Sequence, residues 1–344
     1  MTEEYVDLKE VRKERALEPR IKLLPFDQIT LDCQRRYLVK GLIPRTGLTV
    51  IWGAPKSGKS FWTFDVLMHV ALGWDYRGRR VDQGPVVYCA FEGATGFRAR
   101  IEAFRSRFLP EDAVPVPFYL VPITLDLVSD HKELISAIRS ELGDAVPHAV
   151  SLDTLNRSLR GSENSDQDMG AYVKAADAIR ETFDCSIPIV HHCGIDETRP
   201  RGHTSLRGAL EAQLVVKRGT ADTIFVTVEE MKEGPSGETV ACELEQVEVG
   251  LDEDGEPITS CVVITSDLTE ITPLAGPKLS PNQRSMWSIL EDAGAAGLTL
   301  EEWHEQARAN GLGVPRRTSL MDYRKALRDK KLIHTYADRW YVTR

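Results

Sequence analysis

The chain has 344 residues, 42% hydrophobic and 28% charged, with a formal net charge of −9. That composition describes a globular protein of two domains, or one large domain with an appendage, and its acidity opposes coating DNA along the whole surface. No apolar run reaches the roughly 18–20 residues a bilayer-spanning helix needs, and the six cysteines form no C-x-x-C pair, which argues against a disulfide framework or a zinc module.

Residues 1–40 are charged, carry two prolines and read as an arm with a short helix. Met1-Thr2-Glu3-Glu4-Tyr5 lacks the basic-then-apolar pattern of a signal peptide, so a reduced cytoplasm is expected. A core is expected over 41–271. It opens with Leu48-Thr49-Val50-Ile51-Trp52, a buried strand, and Phe61 to Leu72, a helix closed by Gly73. Between them stands Gly53-Ala54-Pro55-Lys56-Ser57-Gly58-Lys59-Ser60, which fits the phosphate-binding pattern G-x-x-x-x-G-K-[ST] at every fixed position. A strand, a glycine loop and a helix start make an anion site, because backbone N–H groups and the helix dipole point at the phosphate. Gly53 to Phe61 is thus the expected cofactor-binding segment for a nucleotide's phosphates with Mg²⁺, which by itself would fit a kinase, a GTPase or a motor. Lys59 would reach the β- and γ-phosphates, and the Ser60 hydroxyl would hold Mg²⁺.

Apolar runs then alternate with helical patterns. Val86 to Phe91 is a strand, Phe97 to Phe108 an arginine-rich helix, Phe118 to Val121 a strand and His131 to Leu142 a helix. Ala149 to Leu152 is a strand, Asp166 to Phe183 a helix and Ile187 to Val190 a strand. This alternation predicts an α/β fold with a mostly parallel sheet covered by helices on both faces. Beyond Gln213, the runs 214–216, 223–228, 240–249 and 260–265 are separated by turn signals such as Gly234-Pro235 and Asp254-Gly255. They predict antiparallel strands extending that sheet.

Three residues at strand ends narrow the chemistry. Asp153 ends an apolar strand, where a second carboxylate would complete the Mg²⁺ shell; the alternative is a cap for the next segment. Glu92 ends the strand after the loop's helix and could act as general base on a water, which points to hydrolysis rather than to transfer onto a small molecule. Its alternative is a surface glutamate before a turn. His192, in His191-His192, could sense the γ-phosphate; the alternative is packing or turn bonding.

With these motifs goes a family likeness. Gly41-Leu42-Ile43-Pro44, GAPKSGKS, VVYCAFEG, SLDTLNRSLRGSENSDQDM, IVHHCG and RGHTSLRGA, over about residues 38–265, resemble the RepA-like hexameric helicase branch of the RecA/DnaB-type P-loop ATPases of phages and plasmids. The resemblance implies a RecA-like core, ATP bound between subunits of a homo-oligomeric, hexameric ring, and hydrolysis coupled to movement on single-stranded DNA in replication. It makes Lys59 and Ser60 Walker A residues, Asp153 the Walker B acid, Glu92 the catalytic glutamate and His192 the sensor. One segment departs from it. Glu229 to Pro235 resembles K-x-R-x-G-P, with which such motors reach a neighbour's ATP, but Glu230 replaces the first basic residue and Lys232 replaces the arginine. Lys232 is the expected trans-acting cation, without the bidentate fork of arginine. The alternative is a lysine in a charged hairpin turn.

Two further loops carry arginines suited to the phosphates of single-stranded DNA: Arg157 and Arg160 within 156–167, and Arg199 and Arg201 within 194–205. The alternative is ordinary solvated loops. Arg207 matches a recurring family position, or holds its loop against Glu211. After a Pro/Gly-bearing linker at 272–279, residues 280–344 read as a winged helix. Ser280 caps a helix with Pro281 at its first position, Thr299 caps Leu300 to Asn310, ended by Gly311, and Thr318 caps a third helix, followed by a hairpin turning at Ala337-Asp338. Residues 278–344 hold twelve Lys/Arg against eight Asp/Glu, while the rest holds 31 against 44. Arg324 and Arg328 on the third helix are therefore candidate DNA contacts, though such modules also dock proteins, and the second helix is acidic.

Overall fold

The computed structural model describes residues 23–30, 36–110, 115–193, 199–219, 222–266, 279–294, 297–310, 312, 318–330, 332–336 and 338–343. The chain forms two compact units, Met1–Thr269 and Glu270–Arg344.

The first unit is built on a sheet of nine strands among the described residues. In chain order its elements are β1 (Tyr37–Val39), β2 (Ile43–Pro44), β3 (Gly47–Gly53), α1 (Lys59–Leu72), β4 (Val86–Ala90), α2 (Ala94–Phe108), β5 (Phe118–Val121), α3 (Leu127–Leu142) and β6 (Ala149–Asp153). There follow α4 (Leu155–Ser158), α5 (Asp166–Phe183), β7 (Ser186–His192), α6 (Thr204–Gly208), β8 (Leu210–Arg218), β9 (Thr223–Met231), β10 (Thr239–Leu251) and β11 (Pro257–Thr265). The sheet order is β11-β10-β9-β8-β3-β7-β6-β4-β5, and β1 pairs with β2 separately. From β8 to β5 all pairings are parallel; β9, β10 and β11 add on antiparallel.

Strand β3 lies in the middle and is buried along its whole length. Leu48, Val50 and Trp52 face the core under α3 and α5, with Tyr172 and Ile179. Ile51 faces the opposite core, under α1 and α2, with Trp62, Phe64 and Phe104. This two-sided burial is why β3 reads as an unbroken apolar run rather than an alternating one. Burial also pushes the Cys89 and Cys185 thiols up to about 12, so they serve as small core groups. No described helix is long and apolar enough to cross a membrane.

The structure departs from the sequence expectations at several element boundaries. Leu38 and Val39 fall inside the expected arm, yet both are fully buried and belong to the core. Before β1 the arm's described part holds one 3₁₀ turn, Phe26–Gln28; residues 1–22 and 31–35, the last expected core residues 267–271 and linker residues 272–278 lie outside the described residues. Helix α3 starts at Leu127, four residues early, because Asp126 caps it by accepting from the Val128 N–H. Strands β7 to β11 are longer than their apolar runs, since ladder hydrogen bonds carry polar residues along at the ends.

In the second unit the order is α7 (Pro281–Ala293), β12 (Leu298–Thr299), α8 (Leu300–Ala309), α9 (Thr318–Asp329), β13 (Ile333–Tyr336) and β14 (Arg339–Val342), with a sheet ordered β12-β14-β13. Ser280 and Thr299 both close reciprocal capping boxes, with Gln283 and Glu302. The described part of α9 starts at Thr318, whose side chain, and with it the expected cap, lies outside the described residues. Gly311 and Ala337 lie outside the described residues. The core packs Met286, Leu290, Trp303, Leu320 and Leu327, and the Trp303 indole N–H donates to the Met286 carbonyl at 2.8 Å.

Candidate functional site

Four adjacent parallel strands, β3, β7, β6 and β4, end on one rim of the sheet. Gly53 pairs with His192, and Ala90 with Asp153. Pleated strands in register must bring these residues together, although they are spread over 140 positions of sequence.

Gly53 to Gly58 wraps from β3 into α1. At Gly53 an added Cβ would stand 2.2 Å from the Val216 carbonyl oxygen, so the backbone of β8 leaves no room for a side chain. At Gly58, φ of +95° is a conformation L side chains rarely adopt, and there the chain enters α1. Lys59 is only 5% exposed. Its Nζ donates to the Gly53 and Ala54 carbonyls at 2.9 and 2.7 Å. Burial pulls the Lys59 ammonium below its ordinary range, opposed chiefly by the charge of Asp153. Ser57 is buried, and its Oγ lacks a hydrogen-bond partner among the described residues. Phe61 lies in the first turn of α1 with the Arg100 guanidinium 4.2 Å over its ring.

The Ser60 hydroxyl donates to Asp153 Oδ1 at 3.2 Å, and the Tyr88 hydroxyl donates to Oδ2 at 2.7 Å. Burial pushes the Asp153 carboxyl up, while these two hydrogen bonds and the charges of Arg100 and Lys59 pull it down. Two hard oxygen ligands beside the loop, with the orphaned Ser57 hydroxyl in it, fit a phosphate-bound Mg²⁺. Tyr88 escapes a motif search, but a buried tyrosine hydroxyl needs an acceptor, and Asp153 ends the neighbouring strand.

Glu92 follows β4. The residue before it is anchored twice: the Phe91 N–H donates to the Asp153 carbonyl at 2.7 Å, and Thr124 Oγ1 donates to the Phe91 carbonyl at 3.1 Å. The Glu92 carboxylate is about half exposed and lies 3.5 Å from Arg157 Nη2. His192 is half-buried, and its Nδ1 lacks a partner among the described residues. Burial first, then the charge of Lys59, holds its pKa below the ordinary value. The ring is therefore neutral at pH 7 and able to exchange a hydrogen bond.

Lys232 is elsewhere. Strand β9 runs antiparallel to β8, so Met231 pairs with Ala212, which pairs with Thr49 near the start of β3. At about 3.3 Å per residue, Lys232 stands roughly 15–20 Å from the phosphate loop of its own chain. Its Nζ pairs with Glu211 at 2.8 Å. A cavity of about 440 Å³ opens at this far end, lined by Arg36, Arg180, Glu211 and Lys232 among others. Glu230 pairs with Arg207, which thus holds Glu230 and not Glu211.

The other candidate arginines are distributed unevenly. Arg157 and Arg160 both line a cavity of about 260 Å³ beside the start of α3. Arg199 is exposed. Arg201 is tied down: its Nε lies 3.1 Å from Glu163 Oε2, its N–H donates to the His192 carbonyl, and its carbonyl accepts from His191 Nε2 at 2.6 Å. Glu163, 6% exposed, also accepts from Asn156 Nδ2 at 2.8 Å. No pattern in the sequence marks Glu163, because its two side-chain contacts, Asn156 and Arg201, come from separate segments. In the second unit, Arg324 lies over the Trp340 ring at 5.3 Å and Arg328 is exposed.

A family model described as an AAA domain matches residues 17–197, just over half of the chain. Among curated proteins none matches this sequence. Among solved structures, the crystal structure of the RadB recombinase is similar at 14% identity, with a TM-score of 0.42, over 58% of this chain and 87% of that one.

Proposed function

The chain belongs to the AAA domain family, and from that premise we propose that it is a Mg²⁺-dependent ATPase with a RecA-like core. It works as a homo-oligomeric, hexameric motor on single-stranded DNA, of the replicative helicase type. The observation that carries the reading is the convergence of Lys59, Glu92, Asp153 and His192 on one rim of the sheet, each from a different element.

Lys59 turns from the Gly53 and Ala54 carbonyls to the β- and γ-phosphate oxygens, whose negative charge it neutralises. Glu92 accepts a proton from a water whose oxygen attacks the γ-phosphorus. The bond from that phosphorus to the β–γ bridging oxygen breaks, and its electron pair leaves with ADP. Mg²⁺, which Ser60 and Asp153 would hold, supplies neutralisation of phosphate charge when bound. His192, neutral and with Nδ1 open, donates to or accepts from the γ-phosphate side and reports its presence through Arg201 to the loop after β7. Lys232 acts on the nucleotide of the next subunit, since its distance from its own excludes action in cis. The second unit, with three helices and a three-stranded sheet in the order of a winged helix, contacts DNA or replication proteins through the basic α9.

A strand-displacement assay on forked DNA tests the motor. Unwinding that requires ATP and is lost in Lys59→Ala is expected; DNA binding that responds to ATP without any unwinding would instead favour a switch. That second reading, an ATP-switched DNA-binding or loader protein that does not translocate, has one observation in its favour. Glu230 is engaged with Arg207, which leaves the trans-acting segment a single lysine.

A further inference from the structure

Arg157 has two neighbourhoods. Its Nη2 is 3.5 Å from Glu92 Oε1. The residue also lines the cavity of about 260 Å³ together with Arg160, Thr124, Leu125, Asp126, Asp130 and Leu159. It sits on α4, the single helical turn that follows Asp153, and the Arg157 N–H donates to the Thr154 carbonyl. The arginine is thus fixed at its backbone to the strand of the Walker B acid and free to swing at its tip.

We propose that Arg157 is a positioning residue for Glu92 that couples hydrolysis to nucleic acid. In the absence of DNA it holds the Glu92 carboxylate away from the water in line with the γ-phosphate. A backbone phosphate of single-stranded DNA, bound at Arg157 and Arg160, competes for the guanidinium and releases Glu92 to accept the proton. Asp126 and Asp130, which also line the cavity, accept hydrogen bonds at the start of α3: Asp126 from the Val128 N–H and the Ser129 hydroxyl, and Asp130 from the Asp126 N–H. The coupling rests on the reading of Glu92 as the general base.

The geometry sets the size of the effect. Both side chains are about half exposed, at 57% and 47%, and exposed pairs of this kind shift an equilibrium by about twofold to fivefold. Screening weakens them as salt rises.

The test is steady-state ATP turnover by the full chain with Mg²⁺, with and without an oligothymidylate. Arg157→Ala should raise the DNA-free kcat by about twofold to fivefold with KM for ATP unchanged, and should shrink the stimulation by oligothymidylate by the same factor. The rise of the wild-type DNA-free rate with salt should vanish in this variant. Arg157→Lys should fall between the two, and it carries the test if the alanine variant does not fold. A DNA-free kcat that is unchanged or lower in both variants, while Glu92→Gln abolishes turnover, overturns the coupling and spares the base. Turnover that survives in Glu92→Gln overturns the base itself and the coupling with it.

Discussion

Ser60 Oγ lies 3.2 Å from Asp153 Oδ1, which ties the first turn of α1 to the end of β6 across a gap of 93 residues. The contact places a hydroxyl and a carboxylate at the edge of the phosphate loop, and the second oxygen of Asp153 is claimed by Tyr88.

Replacing Tyr88 by Phe tests that arrangement. The variant keeps the ring in the core and leaves a buried carboxylate oxygen without its donor. A loss of about 1–3 kcal/mol is expected in urea unfolding. The Tyr88 hydrogen bond pulls the Asp153 carboxyl down, so its removal lets burial push the carboxyl further up. The acid limb of the ATPase profile should therefore move to higher pH. An unmoved limb in a folded variant argues that Asp153 takes no part in turnover.

Gly53→Ala should be damaging for two reasons. Its φ of +158° is a backbone conformation L side chains rarely adopt, and the new methyl group meets the Val216 carbonyl oxygen at 2.2 Å. Overpacking of this kind costs about 1–3 kcal/mol. Because the obstacle is main chain in a sheet, the loop must give way rather than β8, and ATP affinity should drop more than stability. Retention of wild-type affinity would show that the loop can open without cost.

Lys232 can be tested by complementation. Lys59→Ala cannot use its own nucleotide but still presents Lys232 to a neighbour; Lys232→Ala has an intact loop but offers no cation. Each alone should lose at least about tenfold in turnover, given what trans-acting cations contribute in phosphoryl transfer. Mixed subunits should recover part of the activity. Mixtures no more active than the weaker parent would place Lys232 in a surface pair with Glu211 and nothing more.

The His191-His192 pair makes a prediction about acid stability. His191 is fully buried, its Nδ1 has no partner among the described residues, and burial holds both imidazoles below their ordinary pKa of 6.5. The unfolded chain then takes up protons that the folded chain refuses. Stability should be full above pH 6.5 and fall as the pH drops below it, until the folded-state values are passed. Urea midpoints from pH 7.5 to 5.5 should show this fall, with a shallower slope in His191→Gln. An equal slope in the variant would move the cause elsewhere.

The placement of the proposed nucleotide site at one rim of the sheet was largely legible from residue order. A glycine loop between an apolar strand and a helix announces itself locally, because the conformations it needs exclude other residue types. Asp153, Glu92 and His192 were legible for a related reason: parallel strands share a rim, so an acid or imidazole at the end of each apolar run has a predictable neighbourhood. What residue order could not carry was contact between side chains. The Ser60 and Tyr88 claims on Asp153, the Arg157 hold on Glu92 and the Glu163 knot around Arg201 depend on angles and distances between separate segments. The same holds for Lys232, whose remoteness from its own loop follows from the antiparallel return of β9 and from no motif. Local backbone chemistry is written in neighbouring residues; the pairing of charges across a sheet exists only once the sheet has formed.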